Sequence, residues 1–150
     1  MRVVVQRVSS ASVRTVNGAF VEIGAGLLIL LGIAKHDLPS DCKWLAEKIV
    51  ALRLFPDDSG EMNRSVNDAN GNLLVVSQFT LHANVRKGSR PSFNDAAKSE
   101  IARPIYEEFV LQLQTALGRR VETGTFGASM KVTLVNDGPV TIIIDTEDRN

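Results

Sequence analysis

The sequence predicts a single α/β domain. Short β-branched, apolar runs recur along the chain, two longer stretches between them switch to the 3.6-residue period of an amphipathic helix, and Gly- and Asn-containing turns mark the junctions. A chain of 150 residues that is 44% hydrophobic and 23% charged can bury one substantial core and bears no compositional mark of disorder.

Val3 to Val8 is rich in β-branched residues and reads as the first strand. Ser12 to Val16 and Phe20 to Ile23 flank Asn17-Gly18, a pair that accepts the positive φ angles of a two-residue hairpin turn. Leu27 to Ala34 is apolar throughout and bounded by glycines, as expected of a strand covered on both faces. The period then changes. Ser40 or Asp41 is positioned to cap a helix carrying Trp44, Leu45, Ile49, Leu52 and Leu54, which ends before Pro56. Residues 56 to 72 are polar and turn-rich, which predicts a long connection or an irregular hairpin. Leu73 to Val76 resumes strand character and runs into Ser77-Gln78-Phe79-Thr80. Asn94 or Asp95 begins a second long helix with Ile101, Ile105, Phe109, Leu113 and Leu117 on its core side, and Gly118 stops it. Val121 to Gly124, Lys131 to Val135 and Val140 to Ile144 complete the strands, with Asn136-Asp137-Gly138-Pro139 as a turn between the last two.

Composition narrows the function classes. Arg2 and Arg7 interrupt any secretory leader, and the apolar run from Leu27 to Ala34 is too short to span a bilayer, so a soluble, cytoplasmic protein is expected. The 17 Lys and Arg balance the 17 Asp and Glu, so a nucleic-acid contact must come from a local cluster. Arg86, Lys87 and Arg90 form one, and on sequence grounds they either hold phosphates or simply solvate a loop. Cys42 has no partner for a disulfide and reads as a space-filling residue on a helix. The two histidines, His36 and His82, sit in no metal-ligand spacing, and no metal or cofactor is expected. His82 reads as a surface histidine. There is no Walker A loop, no GxGxxG and no GxSxG elbow.

Two segments carry more chemistry than packing requires. Ser77, Gln78 and Thr80 place hydrogen-bonding groups around the aromatic Phe79 at the end of a buried strand, a composition suited to holding a small polar ligand against an apolar wall. The alternative is a strand end with incidental polarity. In Asn136-Asp137-Gly138-Pro139 the Gly-Pro bond is either trans or cis, cis accounting for only about 5% of X-Pro bonds in folded proteins; the alternative is a hairpin turn that needs no function.

Taken together, SQFTLHA at 77 to 83, GSRPSF at 88 to 93 and NDGPVT at 136 to 141, with MRVVVQRV at the start, resemble the signature segments of the D-aminoacyl-tRNA deacylases, in order and over the whole chain. The resemblance implies a mixed-sheet, barrel-like α/β fold with two long helices, a homodimer with active sites at its interface, and hydrolysis of the ester that joins a D-amino acid to tRNA. It implies that Ser77, Gln78, Phe79 and Thr80 line the catalytic pocket, with backbone N–H groups near Phe79 polarising the ester carbonyl. It implies a cis Gly138-Pro139 bond that reaches into the partner's site and crowds out L side chains, braced by Arg7. Glycine has no side chain to exclude, so glycyl-tRNA is an expected second substrate. Arg86, Lys87 and Arg90 would contact tRNA, and DNA is not an expected partner. A Thr80 nucleophile would need a base, and none is evident in the sequence, so assistance by the 2′-hydroxyl of the terminal ribose is the preferred mechanism. The competing readings are a non-catalytic RNA-binding module, an oligomeric small-molecule binder and a Thr80-dependent esterase that needs no tRNA.

Overall fold

A computed structural model describes residues 1–149. The long strand β1 (Arg2–Thr15) organises the sheet: β2 (Phe20–Ile23) and β3 (Gly26–Gly32) pair antiparallel along one edge, and β8 (Met130–Asp145) runs antiparallel along the other. Beyond β3 the order continues, in parallel, through β6 (Asn72–Ser77) to β7 (Glu122–Thr123). The two ends of this path, β2 and β7, come back into contact, so the mixed sheet is a nearly closed barrel. Helices α1 (Pro39–Ala51) and α2 (Ser99–Leu117) pack on each other and on the sheet. The short hairpin of β4 (Phe55–Pro56) and β5 (Met62–Arg64) lies between α1 and β6.

The side-chain alternation of a strand explains why β3 and β6 are apolar throughout. Leu27, Ile29, Leu31, Leu73 and Val75 join the helices in the larger core, and Leu28, Leu74 and Val76 join Val8, Ala11 and Val13 in a second cluster on the opposite face. Phe109, from the middle of α2, is wholly buried in the larger core. Phe109→Ala is expected to cost ~3–5 kcal/mol, read as a lower urea midpoint with unchanged m.

Several expectations change. The first two predicted strands are one element, β1, because β8 pairs along its whole length, with register shifts between Gln6 and Ser10. Val16 lies outside it and is exposed. The first hairpin closes on Thr15 and Ala19 instead of a two-residue turn, and Gly18 alone takes the positive φ (+85°). Leu38, not Ser40 or Asp41, is the N-cap of α1; Asp41 acts one turn in, its carboxylate accepting from the Leu38 N–H at 2.9 Å. Trp44 and Leu52 are only partly buried. The second helix starts at Ser99 after Lys98, not at Asn94 or Asp95.

Ile101 is 49% exposed, not on the core side. Steps of four advance the helical wheel by about 40° each, so Ile101 is rotated about 80° from Phe109, and Ala102 and Tyr106 take the buried face. The last two predicted strands form the single β8, and Asn136 to Pro139 is not a hairpin turn. Both flanking arms pair with β1, at Val8↔Asn136 and Gln6↔Thr141, and therefore not with each other. Val121 to Gly124 contributes only the two residues of β7. Among the described residues, no helix is long and apolar enough to cross a membrane.

Candidate active site

β6 ends where the Gln78 N–H donates to the Leu31 carbonyl at 2.7 Å, and the chain turns into a 3-10 helix, Phe79–His82. Ser77, Gln78 and Phe79 face a cavity of about 720 Å³. Its apolar wall comes from Leu31, Ile33, Val76, Met130 and Val132, and the start of α2 contributes Lys98, Ser99 and Glu100. Phe79 and Phe93 meet edge to face, 5.1 Å between centroids, and both remain partly open to solvent. The first N–H groups of a helical turn have no carbonyl one turn earlier to bond, and among the described residues those of Phe79 and Thr80 have no hydrogen-bond partner.

Thr80 is placed differently from its three neighbours. It does not line the cavity, and its hydroxyl oxygen accepts from the Gln78 carboxamide. The cavity also takes in residues that sequence reasoning did not select. Phe93 lies in the GSRPSF segment, but Phe126, Gly127 and Met130 carry no local signal. They arrive because the turn after β7 folds over the end of β6, where the Gly127 N–H lies 3.5 Å from Ser77 Oγ. Behind Phe126 stands Tyr106, 5.3 Å between centroids, whose hydroxyl donates to the Val75 carbonyl at 3.2 Å. Burial pushes the Tyr106 hydroxyl up to about 12, so it remains protonated and is no base at neutral pH. Burial likewise pushes the Cys42 thiol to about 12, in keeping with a packing role.

Gly138-Pro139 is a cis bond, and both residues are exposed. They do not line their own chain's cavity. Arg7, 8% exposed, lies beneath them: its Nε donates to the Asp137 carbonyl at 3.0 Å and its second guanidinium nitrogen to the Leu54 carbonyl at 2.6 Å. Gly138 has φ +133°, and a Cβ there would fall 2.8 Å from Val140 Cγ2 and 3.0 Å from the Arg7 guanidinium, so only glycine fits.

Arg86, Lys87 and Arg90 project from a loop closed by paired backbone bonds between Asn84 and Ser92, at 2.7 and 2.9 Å. All three are exposed and, among the described residues, none has a side-chain hydrogen bond or ion pair. His82 is not the surface residue expected. The 3-10 turn folds its ring towards β3, where a Cβ on Gly32 would meet His82 Cδ2 at 3.0 Å, and its Nε2 is buried without a partner.

A sequence model of the family described as D-Tyr-tRNA(Tyr) deacylase matches residues 4–145. Proteins described as D-aminoacyl-tRNA deacylase from Opitutus terrae and Chromobacterium violaceum are 58% and 55% identical, each alignment covering 99% of both chains. Among solved structures, one described as c-Myc DNA Unwinding Element Binding Protein superposes with a TM-score of 0.88 at 41% identity, over 97% of this chain and 98% of that one. A probable eukaryotic D-amino acid tRNA deacylase shares the fold, with a TM-score of 0.83 at 17% identity over 95% and 97% of the two chains. With the family model matching residues 4–145 and relatives more than half identical aligning end to end, the chain belongs to the D-Tyr-tRNA(Tyr) deacylase family.

Proposed function

We propose that this protein works as a cytoplasmic homodimer that clears D-amino acids from tRNA and tells them from L-amino acids by exclusion. The deacylase activity itself comes with the family. The finer reading rests on one observation above others: the Gly138-Pro139 loop is exposed, held from below by Arg7, and absent from the walls of its own chain's cavity. A loop so placed is suited to enter the cavity of a partner protomer. Its carbonyls would accept from the substrate's α-amino group and leave no room for a side chain of L configuration, while glycyl-tRNA would pass. Ser77, Gln78 and Phe79 hold the terminal adenosine and its ester, and the free N–H groups at Phe79 and Thr80 polarise the carbonyl. Water attacks with help from the 2′-hydroxyl of the ribose; the ester bond breaks and the 3′-oxygen leaves with a proton, releasing free amino acid and tRNA.

The test is hydrolysis of matched D-, L- and glycyl-tRNA by the purified protein with a chelator present. Release of D-amino acid and glycine with L spared supports the reading. No release from any of the three would favour a binding module instead.

Arg86, Lys87 and Arg90 are the proposed phosphate contacts outside the cavity. Replacing all three by alanine should weaken tRNA binding and reduce the slope of log affinity against log salt by about 2, since each phosphate contact on single-stranded RNA contributes about 0.7. An unchanged slope would return this loop to mere solvation.

A further inference from the structure

We propose that Asn136 is a positioning residue of the chiral filter, tying the neck of the Gly138-Pro139 loop so that its carbonyls are presented at a fixed height; this rests on the reading of that loop given above. Between the pairs Gln6↔Thr141 and Val8↔Asn136, β1 contributes one residue, Arg7, and β8 contributes residues 137 to 140. The loop is thus an excursion from a continuous ladder. A strand that leaves its ladder gives up the regular backbone bonds that fixed its position, and Pro139 has no N–H with which to restore one. Side chains must set the height and tilt of the excursion.

Arg7 acts at the base, on the Asp137 carbonyl. Asn136 acts across the neck. Its Oδ1 accepts from the Val140 N–H at 3.0 Å, and its Nδ2 donates to Thr141 Oγ1 at 3.1 Å. The same hydroxyl oxygen receives Gln6 Nε2 from β1 at 3.3 Å, so the neck is also anchored to the neighbouring strand. One carboxamide uses its acceptor and donor ends at once to join the residue that opens the excursion to the two that close it, which no alkyl side chain can do. A filter that separates enantiomers by steric exclusion needs its excluding atoms held to within about 0.5 Å. The Asn136 bracket restrains the closing end of the loop, where, among the described residues, Arg7 makes no hydrogen bond.

The experiment measures kcat/KM for matched D- and L-aminoacyl-tRNA with Asn136→Ala, Asn136→Asp and Thr141→Val, and with Pro139→Ala as a control on the filter itself. Asn136→Ala should lower the D-to-L ratio about tenfold, the worth of a hydrogen bond or two. Thr141→Val should lower it less, in the same direction. Asn136→Asp should restore most of the ratio, because its carboxylate still accepts from the Val140 N–H and the Thr141 hydroxyl can turn to donate. A side chain that only stabilises a turn would change both rates together through the folded fraction and leave the ratio alone. If Asn136→Ala does not fold, Thr141→Val carries the test. A ratio that collapses in Pro139→Ala but stays at the wild-type value in Asn136→Ala and Thr141→Val overturns the role of Asn136, as does an Asn136→Asp variant no better than Asn136→Ala. An unchanged ratio in Pro139→Ala removes the filter itself, and this role with it.

Discussion

Deacylation of a D-aminoacyl-tRNA whose terminal adenosine lacks its 2′-hydroxyl is expected to be about 10²- to 10⁴-fold slower than that of the natural substrate, the range a positioned acid–base group contributes. The reason lies in what the cavity contains. Ser77 and Gln78 supply polar groups that do not titrate near neutrality, and Thr80 has its hydroxyl engaged by Gln78 and stands outside the cavity wall. Among the described residues, the titratable side chains on that wall are Lys98 and Glu100, both exposed at the start of α2. Tyr106, behind Phe126, is held protonated by burial.

On the proposed reading the protein positions its substrate and polarises the carbonyl, and the ribose supplies the assisting hydroxyl. Thr80→Ala and Glu100→Gln should each keep activity within about tenfold, the scale of losing one ordinary hydrogen bond. Single-turnover rates on natural and 2′-deoxy substrates decide the matter. Near-complete loss in a folded Thr80→Ala, with the 2′-deoxy substrate still turned over, would assign the chemistry to the side chain.

Arg7→Ala should admit L-aminoacyl-tRNA. Its guanidinium joins two segments far apart in sequence, the Asp137 carbonyl before the Gly-Pro bond and the Leu54 carbonyl after α1, at 3.0 and 2.6 Å. A hydrogen bond from a charged donor contributes ~1.5–3 kcal/mol, so its loss should lower the D-to-L ratio by about 10- to 100-fold, chiefly through faster L hydrolysis. Arg7→Lys should recover little, because an ammonium on a single stem does not span two carbonyls as the planar fork does. The measurement is the pair of kcat/KM values on folded protein. If both remain at wild-type levels, Arg7 is a packing residue and no brace.

Local signals suffice where an element's own residues decide its state. The apolar runs of β3 and β6 form strands buried on both faces, and Gly118 stops α2 in the left-handed conformation with φ +75°. They failed where a distant strand decided. β1 is continuous and Asn136 to Pro139 is no hairpin because β8 runs the length of β1 on both sides of the loop, a pairing without local trace. Helix starts slipped for a similar reason. Asn94 and Asp95 have capping chemistry, but Ala34 bridges Ala96 and the Lys35 N–H donates to the Asp95 carbonyl at 3.2 Å, so that segment is committed to β3's extension before α2 begins.

The candidate site divides along the same line. Ser77, Gln78 and Phe79 lie in a contiguous motif at a strand end, and the sequence alone pointed to them. The Gly138-Pro139 segment stands out in the sequence, but its role and that of Arg7 are legible only through resemblance, and Phe126, Gly127 and Met130 not at all. By itself the sequence determined the α/β class, the two helices and the motif that opens the cavity, because periodicity and turn chemistry act between near neighbours. Only the tertiary structure decided that the sheet closes on itself, that the turn after β7 roofs the cavity, and that Arg7 and Asn136 grip one exposed loop. The Arg7 contact joins residues 130 positions apart, and the Asn136 bracket, though local, forms only because β1 holds both arms of the loop in its ladder.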